Sequence, residues 1–154
     1  METLTEGIYS CVVNEFCTNC YIYVDTATDK TLLIDPGGQP EEIIEFLTKR
    51  NLKLEYIVLT HGHYDHICSL EDVLNMFPVE VVIHEDEFDV VTDDTANLSI
   101  LLGSTVLKNP DRIKWKKVKD CEIIKCGEQQ FYILHTPGHT KGSVCLYLKD
   151  KYLF

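Results

Sequence analysis

The stretch Leu59–Leu70, LTHGHYDHICSL, places His61, His63, Asp65 and His66 within six positions, directly behind the apolar run EYIVL. Imidazole nitrogen and carboxylate oxygen are donors for zinc and similar divalent ions. Three imidazoles and a carboxylate packed this closely repel further protons and sit awkwardly without a cation. The bland alternative, a polar helix cap with bystander histidines, suits a lone histidine better than H-x-H-x-D-H behind an apolar strand. One ion usually takes four donors, and consecutive loop positions do not favour all four reaching the same one. The cluster therefore divides into two sets, His61 with His63 and Asp65 with His66, each serving one ion and each needing further donors. Gly62 is expected to turn the backbone tightly between two imidazoles. Asp65 is expected to cap the next helix with one oxygen while the other faces a cation. The second signal is HTPGHTKGSVCLY, where His139 sits on the Pro137–Gly138 turn behind another strand. It is the candidate third ligand beside His61 and His63.

Such groups need a rigid frame, and the chain offers one. Ile8–Val13, Cys20–Asp25 and Thr31–Pro36 are short, rich in β-branched and aromatic residues, and read as strands. A helix is expected over about residues 40–51: proline opens it, Ile43, Ile44 and Leu47 form an apolar stripe, and Lys49 and Arg50 suit its C-terminal end. EYIVLT is a fully apolar, central strand. A second helix is expected over about Asp65–Met76, with Ile67, Leu70, Val73 and Leu74 at helical spacing. Val79–His84 reads as a strand, EDEFDVV as a short acidic helix, and residues 93–111 as loops and turns. Glu128–Thr136 and Ser143–Lys149 are strands flanking PGHTKG. Strands, then strand–helix alternation, then strands again, point to a mixed α/β arrangement of sheets covered by helices. Strand ends in such layers are where a scaffold presents loop side chains.

In order, NCYIYVD, LLIDPGG, THGHYDH, IHEDE and HTPGHTKGS resemble the metallo-β-lactamase superfamily, and more narrowly its glyoxalase II-like hydrolases. The resemblance covers essentially the whole chain. It implies a four-layer αβ/βα sandwich with a metal site at one sheet edge. It assigns His61, His63 and His139 to a first ion and Asp65 and His66 to a second, with Asp35 of LLIDPG as a carboxylate that orients a ligand histidine. Family members continue into a Gly-Asp segment, whose aspartate bridges both metals, and reach a further histidine later. Phe154 is followed by neither. The expectation is therefore a single metallo-β-lactamase-like domain over residues 1–154 that is the N-terminal portion of a longer enzyme, incomplete in its fold and inactive if those ligands are essential.

The chemistry implied is hydrolysis of a small thioester or ester. Two divalent ions about 3.5–4 Å apart, zinc first and iron or manganese compatible, would share a bridging hydroxide. Asp65 holds both a metal and the nucleophile's proton, which makes it the candidate catalytic residue. Two readings compete: a mononuclear iron oxidoreductase similar to persulfide dioxygenases, and a non-catalytic metal-binding half-domain.

Composition narrows the classes. The 154 residues suit one domain, and 45% are hydrophobic, enough for a sizeable core. A net charge of −11 disfavours nucleic acid as a partner, nuclease activity included. No apolar run approaches a membrane span, and METLTEGIYS lacks the pattern of an export signal, which disfavours a β-lactamase role. Seven cysteines in no disulfide framework fit a cytoplasmic setting. CTNC at Cys17–Cys20 reads as two thiols at a strand entrance. Cys68 reads as packed. In Lys108–Asp120, Ile113, Trp115 and Val118 are expected to turn inward from a solvated edge. The expected partner is a small-molecule substrate, without membrane attachment.

Overall fold

The computed structural model describes residues 1–154 and contains two sheets. The larger has seven strands in sequence order: β1 (Glu2–Thr5), β2 (Ile8–Val13), β3 (Thr18–Asp25), β4 (Lys30–Ile34), β5 (Lys53–Val58), β6 (Glu80–His84) and β7 (Trp115–Val118). β1 to β4 pair antiparallel, and β4 to β7 pair parallel. The smaller sheet is antiparallel, in the order β11 (Tyr152–Leu153), β10 (Val144–Leu148), β9 (Gln129–His135), β8 (Ile123–Cys126).

The parallel strands carry near-continuous apolar residues because both of their faces are covered. On one face, Ile57, Leu59, Val81 and Ile83 pack under α1 (Pro40–Lys49) and α3 (Leu70–Met76) through Ile43, Leu47, Leu70 and Val73. On the other, Leu32, Ile34, Val58 and Val82 meet Phe131, Ile133, Val144, Leu146 and Leu148 of the small sheet. The chain thus supplies helices, large sheet and small sheet, three of the four layers expected. The outward residues of β9 and β10, among them Tyr132, Cys145 and Tyr147, remain partly exposed with no helix above them.

Proline opens α1, Glu41 and Glu42 occupy its first turn, and Lys49 its last. The helix expected over Asp65–Met76 is instead broken into α2 (Tyr64–Ile67) and α3, with a turn at Cys68–Ser69. The reason is tertiary. Ser69 N–H donates to the Pro36 carbonyl at 3.0 Å, and the Asp65 carbonyl that should receive it accepts from Asn14 Nδ2 at 2.8 Å. The helical ladder is diverted just behind His66. The acidic run becomes a 3₁₀ turn, Glu85–Glu87, leading into α4 (Phe88–Thr92). Residues 93–111 are turns with short 3₁₀ segments. The basic segment forms the edge strand β7, in which Trp115 and Val118 face opposite sides of the sheet rather than one interior. No helix is long and apolar enough to cross a membrane.

Candidate metal centre

β5 ends at Val58, and His61 and His63 stand on the short link into α2. β9 ends at His135, and the turn through Pro137–Gly138 carries His139. One backbone bond joins the two regions, Val144 N–H to the Thr60 carbonyl at 2.9 Å. His61, His63 and His139 converge: their donor atoms all lie within 4.8 Å of one another. The ring centroids form a near-equilateral triangle of 4.8, 4.8 and 4.7 Å, and the rings cross at 79°, 79° and 83°. His139 Nε2 is 3.0 Å from His63 Nδ1. Two zinc–nitrogen bonds of 2.0–2.1 Å at a tetrahedral angle require about 3.3 Å.

The hydrogen bonds fix which nitrogen of His61 is available. Thr60 Oγ1 gives its one proton to Asp35 Oδ2 at 2.6 Å. At 3.2 Å from His61 Nδ1 it can then only accept, so Nδ1 carries the proton and Nε2 the lone pair. That Nε2 is the one buried side-chain polar atom of the protein with no hydrogen-bond partner. Burial, then the neighbouring imidazoles, push the His61 pKa down to about 3. Burial and then His139 lower that of His63 as well. Neutral imidazoles with lone pairs turned on one another suit a cation, so the residues fit a divalent ion.

Asp65 and His66 form the second set. Burial opposes charge on His66, but the hydrogen bond and charge of Asp35, with Asp65 behind them, outweigh it and raise the pKa. Asp35 Oδ2 lies 2.9 Å from His66 Nδ1, which directs Nε2 towards Asp65 Oδ2 at 3.5 Å. Both atoms are potential ligand donors, and they face the same space. Asp35 thus orients imidazoles of both sets, directly at His66 and through Thr60 at His61. Its backbone has φ 52° and its carboxylate is also fixed by Thr60 N–H at 2.8 Å.

Two expectations about this segment need correction. Asp65 makes no helix cap. It lies in the first turn of α2, and its Oδ2 accepts from Thr18 Oγ1 at 2.5 Å. Gly62 is not required by a left-handed turn, being absent from the positive-φ residues. It is required because a Cβ there would stand 2.8 Å from Val91 N, in the backbone of α4. Asn14, Thr18 and Thr60 escaped the reading of the sequence. Asn14 Nδ2 binds the Gly37 and Asp65 carbonyls at 2.9 and 2.8 Å, a stitch between distant loops with no local signature. Cys68 donates its thiol to the Gly37 carbonyl, and burial raises its pKa, in keeping with a packed residue.

His84, Asp86 and His135 also cluster. Their imidazoles stack at 3.9 Å and 15°. Lone pairs lie in the ring planes, so near-parallel rings aim theirs side by side and not at one point. Lys141 is exposed, with Asp89 Oδ2 at 3.8 Å; its backbone carbonyl accepts from His135 Nε2 at 2.9 Å, and its side chain reaches none of His61, His63 and His139.

A sequence profile of the family described as "Metallo-beta-lactamase superfamily" matches residues 14–154. The chain is 32% identical over 134 residues to the probable metallo-hydrolase YqgX of Bacillus subtilis, covering 86% of this chain and 61% of that protein. It is 35% identical over 138 residues to the probable hydroxyacylglutathione hydrolase glo2 of Schizosaccharomyces pombe, covering 86% of this chain and 44% of that protein. Each alignment thus spans less than two thirds of the relative. Among solved structures, the BLEG-1 B3 metallo-beta-lactamase superposes with a TM-score of 0.81 at 28% identity, over 96% of this chain and 70% of that one. The di-iron-bound form of TTHA1623 superposes with a TM-score of 0.76 at 24% identity, over 92% and 67%, a likeness of fold.

Proposed function

Because the chain belongs to the metallo-beta-lactamase superfamily, we propose that it is a metal-dependent hydrolase of a small thioester or ester, similar to hydroxyacylglutathione hydrolases. The observation that carries this reading is the buried, unpartnered Nε2 of His61, set in a triangle with His63 and His139.

In this reading His61, His63 and His139 hold a first divalent ion, and Asp65 with His66 contributes to a second. Zinc suits the donor set best, and iron or manganese is compatible. A bound ion supplies a Lewis acid for the substrate carbonyl and makes water acidic enough to attack near neutral pH. Asp65 receives the proton of the attacking water: Thr18 fixes Oδ2, and no hydrogen bond engages Oδ1. Asp35 and Thr60 hold the His61 and His66 rings in register, so the site needs no rearrangement during reaction. His139 is exposed and His61 buried, which leaves the His139 side open to substrate. A thiolate leaves with little help from an acid, since a thiol pKa is about 8.5, and no dedicated acid is required. The substrate is a small molecule, and seven free cysteines suit a reducing, cytoplasmic setting.

The test is thiol release from a hydroxyacyl-glutathione thioester by the metal-loaded protein. Release that stops with a chelator and in His61→Ala supports the proposal. A metal-loaded longer chain that carries the Gly-Asp segment and the later histidine, yet releases no thiol and cleaves no simple ester, refutes it. Oxygen uptake on glutathione persulfide by anaerobically prepared iron protein, in place of hydrolysis, would establish the oxidoreductase reading instead.

A further inference from the structure

We propose that Glu87 is a positioning residue whose carboxylate clips the turn carrying His61 and His63 to the turn carrying His139, and so sets the aperture of the metal cradle. The proposal rests on the reading of these three histidines as ligands of one ion.

Glu87 has no exposed surface, although Glu85 and Asp86 beside it are exposed. Its Oε1 accepts from Gly62 N–H at 2.9 Å, and its Oε2 accepts from Gly142 N–H at 2.8 Å. Gly62 lies between the two imidazoles of the first turn, and Gly142 lies three residues beyond His139. One carboxylate therefore holds both turns, one by each oxygen. With both oxygens committed to amides, Glu87 stands outside the clustered donors and acts through them.

The surroundings are shaped for this contact. A Cβ on Gly142 would fall 2.5 Å from Glu87 N and 2.8 Å from Oε2, so only glycine lets the carboxylate reach that amide. A Cβ on Gly62 would strike the Val91 backbone of α4, the helix that Glu87 leads into. The same short element sets the carboxylate and backs the histidine turn. Charge points the same way. None of the protein's ion pairs involves Glu87. A buried carboxylate is costly unless it is hydrogen-bonded and balanced. Two amides provide the hydrogen bonds, and a cation among the three imidazoles provides the balance.

Zinc affinity, measured by competition with a chromophoric chelator on the whole chain, tests this in Glu87→Gln, Gly142→Ala and Glu85→Gln. Glu87→Gln keeps the shape but puts an NH₂ against an amide N–H. Gly142→Ala keeps the charge but displaces the carboxylate. Both should bind zinc about 10- to 100-fold more weakly, the range for residues that orient metal ligands, with circular dichroism showing the metal-free proteins folded. Glu85→Gln should bind as wild type. Wild-type affinity in either Glu87→Gln or Gly142→Ala overturns the proposal. A second readout needs no metal: the Gly62 and Gly142 amides of the chelator-treated wild type should exchange slowly with solvent, and Glu87→Gln should accelerate both together. Response of one amide alone, or of neither, also overturns it. If wild type binds no zinc, the three-histidine reading has failed, and amide exchange still decides whether Glu87 joins the turns.

Discussion

His139 Nε2 and His63 Nδ1 lie 3.0 Å apart, although 76 positions separate them in the chain. Two nitrogen acceptors meet at that distance only with a proton or a cation between them. The first prediction follows from removing one of them. Zinc at about 100 times its dissociation constant should stabilise the wild type against urea by about 2.7 kcal/mol. His139→Ala leaves two imidazoles and should weaken binding by more than the ~100-fold that marks the upper range for orienting residues. At the same zinc concentration nearly all of that stabilisation should vanish. Urea unfolding with and without chelator measures it, and an equal zinc effect in both proteins would show that His139 is not a ligand.

Asp35 and His66 give the metal-free protein a pH signature. His66 has its pKa raised in the fold, so its contribution is fully present below the unfolded value of about 6.5 and is lost as pH rises through the folded pKa. His61 works on the other side. Its folded pKa is pushed down to about 3, so the unfolded chain takes up the proton first, and stability falls as pH drops from about 6.5 towards 3. Taken together, the two histidines favour a maximum near pH 6.5. Asp35→Asn removes the charge that raises His66. The stability difference between wild type and Asp35→Asn in chelator should therefore shrink as pH climbs above 6.5. A constant difference from pH 6 to 9 would contradict the assignment.

Gly62 is defined by what lies opposite it. A methyl group there meets Val91 N at 2.8 Å and Val91 Cα at 3.0 Å, both of which are backbone. Gly62→Ala should destabilise the metal-free protein by about 1–3 kcal/mol through overpacking. Adding Val91→Ala should not restore the loss, because trimming the valine leaves those atoms in place. Restoration in the double variant, read from urea midpoints, would mean that the conflict is with the valine side chain.

These contacts show which parts of the site a sequence can display. His61, His63, Asp65 and His66 are legible because their ligand types crowd one strand end, and His139 because it stands on a Pro-Gly turn behind another. Asp35 is legible only through its place at the end of LLID. Glu87 is hidden in an acidic run whose other members face solvent, and its partners are backbone amides of distant glycines, which no residue pattern announces. The fold divides in the same way. The buried strands β3 to β6 and helix α1 carry apolar periodicity and were readable. β1 is wholly exposed and has no alternation to read. The break between α2 and α3 leaves the apolar spacing intact, because it is imposed from outside by Pro36 and Asn14.

The cysteines offer a check on the packing that frames the site. Cys17 and Cys121 are exposed, whereas Cys20 and Cys126 are buried in the two cores. Burial, then the charges of Glu55 and Asp25, push the Cys126 thiol up to about 12. At Cys20 the hydrogen bond with Cys11, its neighbour across β2 and β3, raises the pKa first, and burial adds to it. Cys121 is open to solvent, but the adjacent Asp120 carboxylate raises its pKa. The thiolate is the species that alkylates. At pH 8, iodoacetamide should therefore label exposed Cys17 before Cys121, and should reach Cys20 and Cys126 only after urea unfolds the chain. Peptide mass spectrometry over a time course resolves the order. Labelling of Cys126 in the native protein at the rate of Cys17 would mean that the small sheet does not close over the large one. The frame that brings the His139 turn to the His61 turn would then be lost with it.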